Sequence, residues 1–146
     1  LDEFLQQGWQ HENGHVLHPA SVFVDSGYLT DHVYRFCKRR NARRVYATKG
    51  MSTSGRAIAT RSKRIDPQGG TLFVIGTDTA KDCLYSYMQV KDPGPGYCHF
   101  RADLHDERYF EGLTAEERQV KMLKGQPVEE WRPKRHGVRN EPLDCR

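Results

Sequence analysis

The sequence predicts an α/β domain, and three observations carry that reading. Between Ser21 and Thr48 a β-branched and aromatic run, a helix-period segment and a second β-branched run follow one another with short joints. The most strand-like run in the chain, Thr71-Leu-Phe-Val-Ile75, passes straight into another helix-period segment. At 146 residues the chain has single-domain size, enough to bury roughly two thirds of its unfolded surface.

Taken in order, Leu1 to Gln7 reads as the end of a helix and His11 to Pro19 as polar, turn-rich chain. Ser21-Val-Phe-Val-Asp25 is a buried strand by its unbroken apolar character. Thr30 is placed to cap a helix running to about Arg40. In it Val33, Phe36 and Cys37 share one face, and Arg35, Lys38 and Arg39 mostly face away. Val45-Tyr-Ala-Thr48 is a second strand. Strand, helix and strand with short joints make a βαβ unit, hence parallel strands and a right-handed crossover. Lys49 to Gly70 has no apolar periodicity and reads as a functional loop, a flexible hairpin or disorder.

Gly76-Thr-Asp-Thr opens a helix whose Ala80, Cys83, Leu84, Tyr87 and Met88 follow helical spacing and are expected to pack in the core. Pro93-Gly-Pro-Gly96 marks a turn, and Tyr97 to Phe100 reads as a short strand. Thr114-Ala-Glu-Glu117 has capping-box spacing, so a helix is expected to about Lys124, stopped by Gly125. Val128 to Trp131 reads as a last strand, and Arg139 to Arg146 as the first turns of a helix. No repeat, low-complexity segment or second domain is visible. Residues 1–20 are therefore taken as a lead-in helix and loop, and 21–146 as the core.

Composition narrows the function classes. Charged residues make up 29% and hydrophobic ones 36%, which fits a small core under a polar surface. No apolar run approaches the ~20 residues needed to cross a membrane. The N-terminus lacks the positive-then-apolar pattern of a secretory signal, and the chain starts at Leu1 rather than Met, as a fragment or a processed product would. Cys37, Cys83, Cys98 and Cys145 are far apart in sequence, so no Cys-x-x-Cys zinc signature exists and reduced thiols are expected. His11, His15 and His18 cluster in a polar segment and are expected at the surface.

The net charge is only +4, but Arg35 to Arg64 holds eleven Lys or Arg and no Asp or Glu. Such a block can track a phosphate backbone and release counterions. A solvated face with a mobile basic loop would look the same.

Residues able to carry chemistry fall at element ends. In open α/β sheets, sites form at the carboxyl ends of strands, and Asp25, Lys49 and Asp78 are expected at or just past that edge. Converging carboxylates there would make a negative pocket suited to Mg²⁺ or Mn²⁺, ions that activate water against a phosphodiester. Taken singly, Asp25 could equally be a strand-end turn residue or helix cap, and Asp78 could cap its helix. Gly76-Thr-Asp-Thr-Ala-Lys81 lacks the second Gly before the Lys and the Ser/Thr after it, so it is not a phosphate-binding loop of the ATPase kind. A Ser-His-Asp hydrolase finds no Gly-x-Ser-x-Gly elbow.

Several stretches, in matching order, resemble the nuclease domain of lambda-like (GpA-type) phage terminase large subunits. They are Val22-Phe-Val-Asp-Ser-Gly27, Val45-Tyr-Ala-Thr-Lys-Gly50, Gly76-Thr-Asp-Thr-Ala-Lys-Asp82, the run from Pro95 to Phe100, Leu113-Thr-Ala-Glu-Glu117, and Arg139-Asn-Glu-Pro-Leu-Asp-Cys145. The pairing of Gly-Thr-Asp-Thr-Ala-Lys with Arg-Asn-Glu-x-Leu-Asp-Cys is the most specific part. The resemblance implies a ribonuclease H-like fold, a mixed sheet with helices on both faces. It implies a Mg²⁺- or Mn²⁺-dependent endonuclease that cuts concatemeric double-stranded DNA during genome packaging in the host cytoplasm. A terminase ATPase domain, a small terminase subunit and the portal are the implied partners, with no membrane role.

By the same resemblance, Asp25 and Asp144 match the family's acidic metal-site positions. Asp78 matches a motif Asp that could hold metal, cap its helix, or place a phosphate through Lys81. Lys49 and Arg139 match basic positions with phosphate or structural roles. Arg61, Lys63 and Arg64 are the further DNA candidates, from the basic block. The family's first acid lies on an opening strand upstream of Leu1. The chain is therefore expected to lack the N-terminal strands, as a fragment, as a decayed gene product, or with a partner supplying the strand. The alternative is a non-catalytic DNA-binding or assembly piece of the terminase, and a lesser one a related resolvase.

Overall fold

The computed structural model describes residues 1–63 and 69–146. Arg64 lies outside the described residues. Two compact units form, one from Leu1–Gly50 with Ala59–Val74 and the other from Met51–Ile58 with Ile75–Arg146. No helix among the described residues is long and apolar enough to cross a membrane.

The first unit is built on a four-stranded sheet. After α1 (Asp2–Gln6) and a small antiparallel pair, β1 (Trp9–Gln10) and β2 (Val16–Leu17), come β3 (Val22–Asp25), α2 (Thr30–Lys38) and β4 (Val45–Met51). Then follow β5 (Ala59–Arg61) and β6 (Leu72–Gly76), giving the sheet order β3-β4-β6-β5. The expected βαβ unit is present. β3 and β4 are parallel, with Val22 opposite Val45 and Asp25 opposite Thr48. Ser62 N–H donates to Leu72 O and Gly76 N–H to Ile58 O, a pattern that runs β5 antiparallel to β6 and makes the sheet mixed. Of the stretch from Lys49 onward, read as a functional loop, a flexible hairpin or disorder, Lys49–Met51 and Ala59–Arg61 are strand.

Side-chain alternation along β3 and β4 decides which face is covered. Val22, Val24, Val45 and Ala47 join Leu5, Val33, Tyr34, Phe36, Cys37 and Leu72 in one apolar cluster beneath α1 and α2. Each fully buried large apolar side chain there stabilises by about 1.5–3 kcal/mol. The other face carries Phe23, Tyr46 and Phe73, with ring centroids 5.1–5.8 Å apart. Arg40 makes a two-pronged ion pair with Asp2, and Arg43 adds a contact at 3.2 Å, so α1 is tied to the end of α2. The Arg40 guanidinium holds the Asp2 carboxyl down at about 2. Thr30 is not the helix cap. Leu29 occupies that position with left-handed backbone (φ 50°), while the Thr30 hydroxyl donates to Ser26 O at 2.7 Å.

The second unit holds α3 (Thr77–Met88), α4 (Glu107–Leu113), a hairpin of β7 (Glu116–Leu123) and β8 (Gln126–Pro133), and α5 (Glu141–Cys145). α3 starts at the residue after β6 ends. At that junction a Cβ on Gly76 would lie 2.6 Å from Ala57 O and 2.9 Å from Arg56 O. These are backbone atoms that cannot swing aside, so glycine is required. The α3 stripe of Ala80, Cys83, Leu84 and Met88 is half-buried, and Tyr87 is exposed. Tyr97 to Phe100 forms no strand.

The helix expected from Thr114 to Lys124 is instead β7. The Thr114 hydroxyl donates back to Phe110 O rather than capping forward. The helix in this region is α4, capped by Asp106, whose carboxylate accepts from Tyr109 N–H at 2.9 Å. The sequence reading went wrong because capping-box spacing is a local signal, whereas an eight-on-eight antiparallel register is not local. Residues Glu116 to Leu123 pair with Pro133 to Gln126 along their whole length. The two-residue turn between them, Lys124 (φ 49°) and Gly125 (φ 80°), has the left-handed backbone that matches strand twist. Diagonal cross-strand pairs, Arg118 with Glu129 and Lys121 with Glu130, add to the register.

Candidate functional site

Asp25 closes β3, and its surroundings hold it open. Ser26, just past it, is buried. Its N–H and its hydroxyl both donate to Thr48 O on β4, at 2.9 and 2.6 Å. The chain is thereby fixed at the carboxyl end of the parallel pair, and the exposed Asp25 carboxylate stands at that edge. Among the described residues no hydrogen bond or ion pair engages it. A Cβ on Gly27 would come within 2.9 Å of Asp25 Oδ2, so glycine two residues on leaves the carboxylate its room. Leu29 completes the turn in a left-handed conformation that costs a bulky residue about 1–2 kcal/mol. Such strain concentrates where a surface is shaped for function. Lys49 follows Thr48 on β4 and is exposed, as are Arg61 on β5 and Lys63.

The second unit gathers a different set. Glu116, the first residue of β7, is only 4% exposed. Lys81 Nζ, on α3, donates to its Oε2 at 2.7 Å. Asn140 Nδ2, at the start of α5, donates to its Oε1 at 2.6 Å. Lys81 also lies 3.4 Å from Asp144 Oδ1, and Asn140 Nδ2 lies 3.1 Å from Asp144 Oδ2. Lys81, Glu116, Asn140 and Asp144 thus close a ring drawn from α3, β7 and α5.

The neighbourhood braces that ring. The Tyr85 hydroxyl donates to Glu116 O at 2.8 Å. Burial, and then the nearby charges of Glu116 and Glu117, push its proton affinity up, so it remains a donor. Asp82, next to Lys81 on α3, takes a two-pronged ion pair from Arg118 and a 3.0 Å hydrogen bond from Trp131 Nε1. The Tyr85 and Trp131 rings meet at 4.6 Å. A Cβ on Gly112 would lie 2.7 Å from Pro142 Cγ, so α4 seats α5 closely.

Of the acids expected to act, Asp25 belongs to the first unit, and Asp78 and Asp144 to the second. Asp78 is buried in the first turn of α3, where a negative charge is favoured by the helix dipole, but α3 has no side-chain cap. The cap role weighed for Asp78 therefore does not hold. Asp144 lies on α5, close to Lys81, and Arg139 is exposed just before that helix. Among the described residues no three His, Cys, Asp or Glu side chains stand close enough to hold a metal ion. As an oxygen donor, Asp25 is of the type a hard divalent cation takes. The Asp25 carboxylate is exposed and kept clear by Gly27, whereas the two Asp144 oxygens are met by Lys81 and Asn140. Glu116 was missed because the segment that carries it read as a helix. The local signal that could have found the hairpin was the Lys124-Gly125 turn.

The first unit thus ends a parallel strand pair in an open carboxylate, and the second holds two acids, a lysine and an amide in a polar ring. The chain belongs to the family of the terminase large subunit gpA, endonuclease domain, which matches it over residues 1–146. It is 32% identical over 152 residues to the terminase large subunit of Escherichia phage lambda, covering 99% of this chain and 23% of that protein. It is also 32% identical over 154 residues to the terminase large subunit of Enterobacteria phage P21, covering 99% of this chain and 24% of that protein. The chain therefore spans about a quarter of the length of these relatives. No solved structure matches it.

Proposed function

We propose that this chain is the DNA-cutting part of a phage packaging terminase, a divalent-metal-dependent endonuclease of ribonuclease H-like fold that severs concatemeric double-stranded DNA. It would work in the host cytoplasm beside a terminase ATPase domain, a small subunit and the portal. The observation that carries the reading is Asp25, an open carboxylate fixed at the carboxyl end of a parallel strand pair in a chain of an endonuclease family. Asp25 and Asp144 would hold Mg²⁺ or Mn²⁺, with Asp78 as a third acid. Such an ion, when bound, supplies an activated water and stabilises the leaving oxygen. Lys49, Arg61, Lys63, Arg64 and Arg139 would meet the DNA backbone. Lys81, also expected to contact a phosphate, has its ammonium against Glu116 and Asp144.

The test is nicking of supercoiled plasmid with Mg²⁺ or Mn²⁺ by wild type, Asp25→Asn and Asp144→Asn. Cutting is expected from wild type and abolished in both variants. Wild-type rates in both would sink the assignment of these acids. If nothing cuts but DNA still binds, the non-catalytic alternative stands. In that case neutralising Arg61, Lys63 and Arg64 should flatten the salt dependence by up to about 0.9 in log–log slope per charge.

A further inference from the structure

The β7–β8 hairpin has two long edges, and they are not equivalent. Successive residues of a strand turn their backbone groups to opposite sides. Lys134 N–H donates to Ala115 O at 2.9 Å, one position below the first pair of the ladder. That bond fixes the phase, so Glu117, Gln119, Lys121 and Leu123 turn their backbone groups towards β8. Arg118, Val120 and Met122 turn theirs outward. The residues opposite an outward position on β7 face outward on β8, and two of these, Pro127 and Pro133, have no N–H to offer. The β8 edge is thus blunted against a further strand by its own sequence. The β7 edge has no proline.

At the base of β7 the outward carbonyl of Glu116 is taken by the Tyr85 hydroxyl at 2.8 Å. Beyond it, among the described residues, no hydrogen bond engages the outward N–H of Arg118, Val120 or Met122. Two side chains along this edge are bare as well, Val120 at 67% exposure and Met122 at 64%. An open strand edge with exposed apolar side chains is a template for another strand. Its sequence says which strand fits. A second β7, run antiparallel about a twofold axis at Val120, would bring its own Met122, Val120 and Arg118 opposite Arg118, Val120 and Met122. Every free outward group then finds a partner, and the two Val120 side chains meet on the axis. On the other face each Glu117 lies diagonal to Lys121 of the second copy, within reach of long side chains. Both are lightly held in the single chain. Glu117 accepts from Gln119 Nε2 at 3.1 Å, and Lys121 stands 3.8 Å from Glu130. A shift of two residues one way would set Lys121 against Lys121. A shift the other way would draw in Glu116, which α3 already holds.

We propose that the β7 edge docks a second copy of this chain, the two hairpins joining into one four-stranded antiparallel sheet. The pairing stands independently of any metal-holding role for Asp25 or Asp144.

The experiment is sedimentation equilibrium of the full chain over a concentration series, because a contact of this small size associates weakly. The variants are Val120→Pro, Glu117→Lys and Lys121→Glu, each checked for an intact melting transition. Proline is tolerated at an outward-facing edge position and leaves the β7–β8 ladder whole, but it removes the two N–H groups that meet at the axis. Val120→Pro should weaken self-association by about 10-fold or more. Glu117→Lys and Lys121→Glu each set like charges across the contact and should weaken it by about 5-fold or more. An equal mixture of those two chains should associate as tightly as wild type, since each lysine then faces a glutamate. The mixture also keeps the test decisive if proline disturbs the hairpin. A wild type that stays monomeric throughout the series would overturn the proposal and leave the edge to an extended segment of a different protein. Self-association that all three variants leave unchanged would overturn it too. So would charge variants that are weakened alone and stay weakened when mixed, since those residues would then act through the fold of the single chain.

Discussion

Replacing Lys81 by Met tests whether the polar ring of the second unit is a true buried ion pair. Lys81 is 15% exposed at its side chain and Glu116 only 6%. Methionine keeps most of the stem volume and deletes the ammonium, leaving the Glu116 carboxylate without its counter-charge. Breaking a buried pair in this way costs about 3–5 kcal/mol. Asn140 would still donate to the other oxygen, and a hydrogen bond to a charged group retains about 1.5–3 kcal/mol. The expected loss is therefore near the low end, about 3 kcal/mol. With a urea m-value of about 2 kcal/mol per molar, the unfolding midpoint should fall by about 1.5 M. Trp131 fluorescence reports the transition, because that ring packs on Tyr85 beside the ring of polar contacts. Lys81→Met/Glu116→Leu should recover at least half of the loss, since an apolar pair no longer leaves a bare charge. A Lys81→Met midpoint within about 0.3 M of wild type, or a double variant no more stable than the single, would refute the reasoning.

The remaining expectations concern separate parts of the chain. The Asp2 carboxyl is held at about 2 by Arg40, against an ordinary value of 3.8. A depressed carboxyl contributes stability that is complete above its ordinary value and lost as pH falls through the folded one. Wild type should therefore melt higher than Asp2→Asn above about pH 5, and the two melting temperatures should converge as pH falls towards about 2. A constant difference across that window would show that Arg40 does not act through the Asp2 charge. Gly112→Ala should destabilise by about 1–3 kcal/mol, because its Cβ meets the Pro142 ring. Gly94→Ala, with nothing within 4 Å, should be neutral by the same urea titration. Lys124→Asn should raise stability by up to about 1 kcal/mol, because Asn-Gly suits a left-handed two-residue turn better than Lys-Gly. An unchanged or lower melting temperature would contradict the turn geometry.

How much was legible in the sequence follows from how far each element depends on distant partners. β3, α2, β4, β6 and α3 were all readable. Each carries its own period, and β-branched runs such as Val22-Phe-Val do not suit a helix. α5 was readable from its turn residues and its family motif. The hairpin was not, because Glu116 to Leu123 satisfies a helix-start pattern locally and becomes strand only through its register with β8. β5 was lost in the basic stretch for a similar reason. Ala59 to Arg61 has no apolar pattern of its own and is strand only because it lies beside β6. A polar segment paired at a sheet edge leaves almost no trace in composition.

The candidate site divides along the same line. Asp25 was visible because a strand end followed by Ser-Gly is a local feature, and the structure adds that Gly27 keeps its carboxylate clear. Asp144 was visible only through a motif, and what surrounds it was not visible at all. Lys81, Glu116 and Asn140 are separated by 35 and 24 residues, and no spacing rule joins them. Glu116 is informative because it breaks the usual pattern. A charged side chain at 4% exposure is seldom kept for stability alone, and its two oxygens are spent on the lysine and the amide that also reach Asp144. The two proposed metal-holding acids therefore stand in opposite situations. Asp25 is presented open by a rigid strand end, and Asp144 on its short helix is made rigid by borrowed contacts. Changes at Glu116 or Asn140 should therefore disturb Asp144 and leave Asp25 as it is. Mn²⁺ binding in those variants, compared with and without Asp25→Asn, can measure that asymmetry.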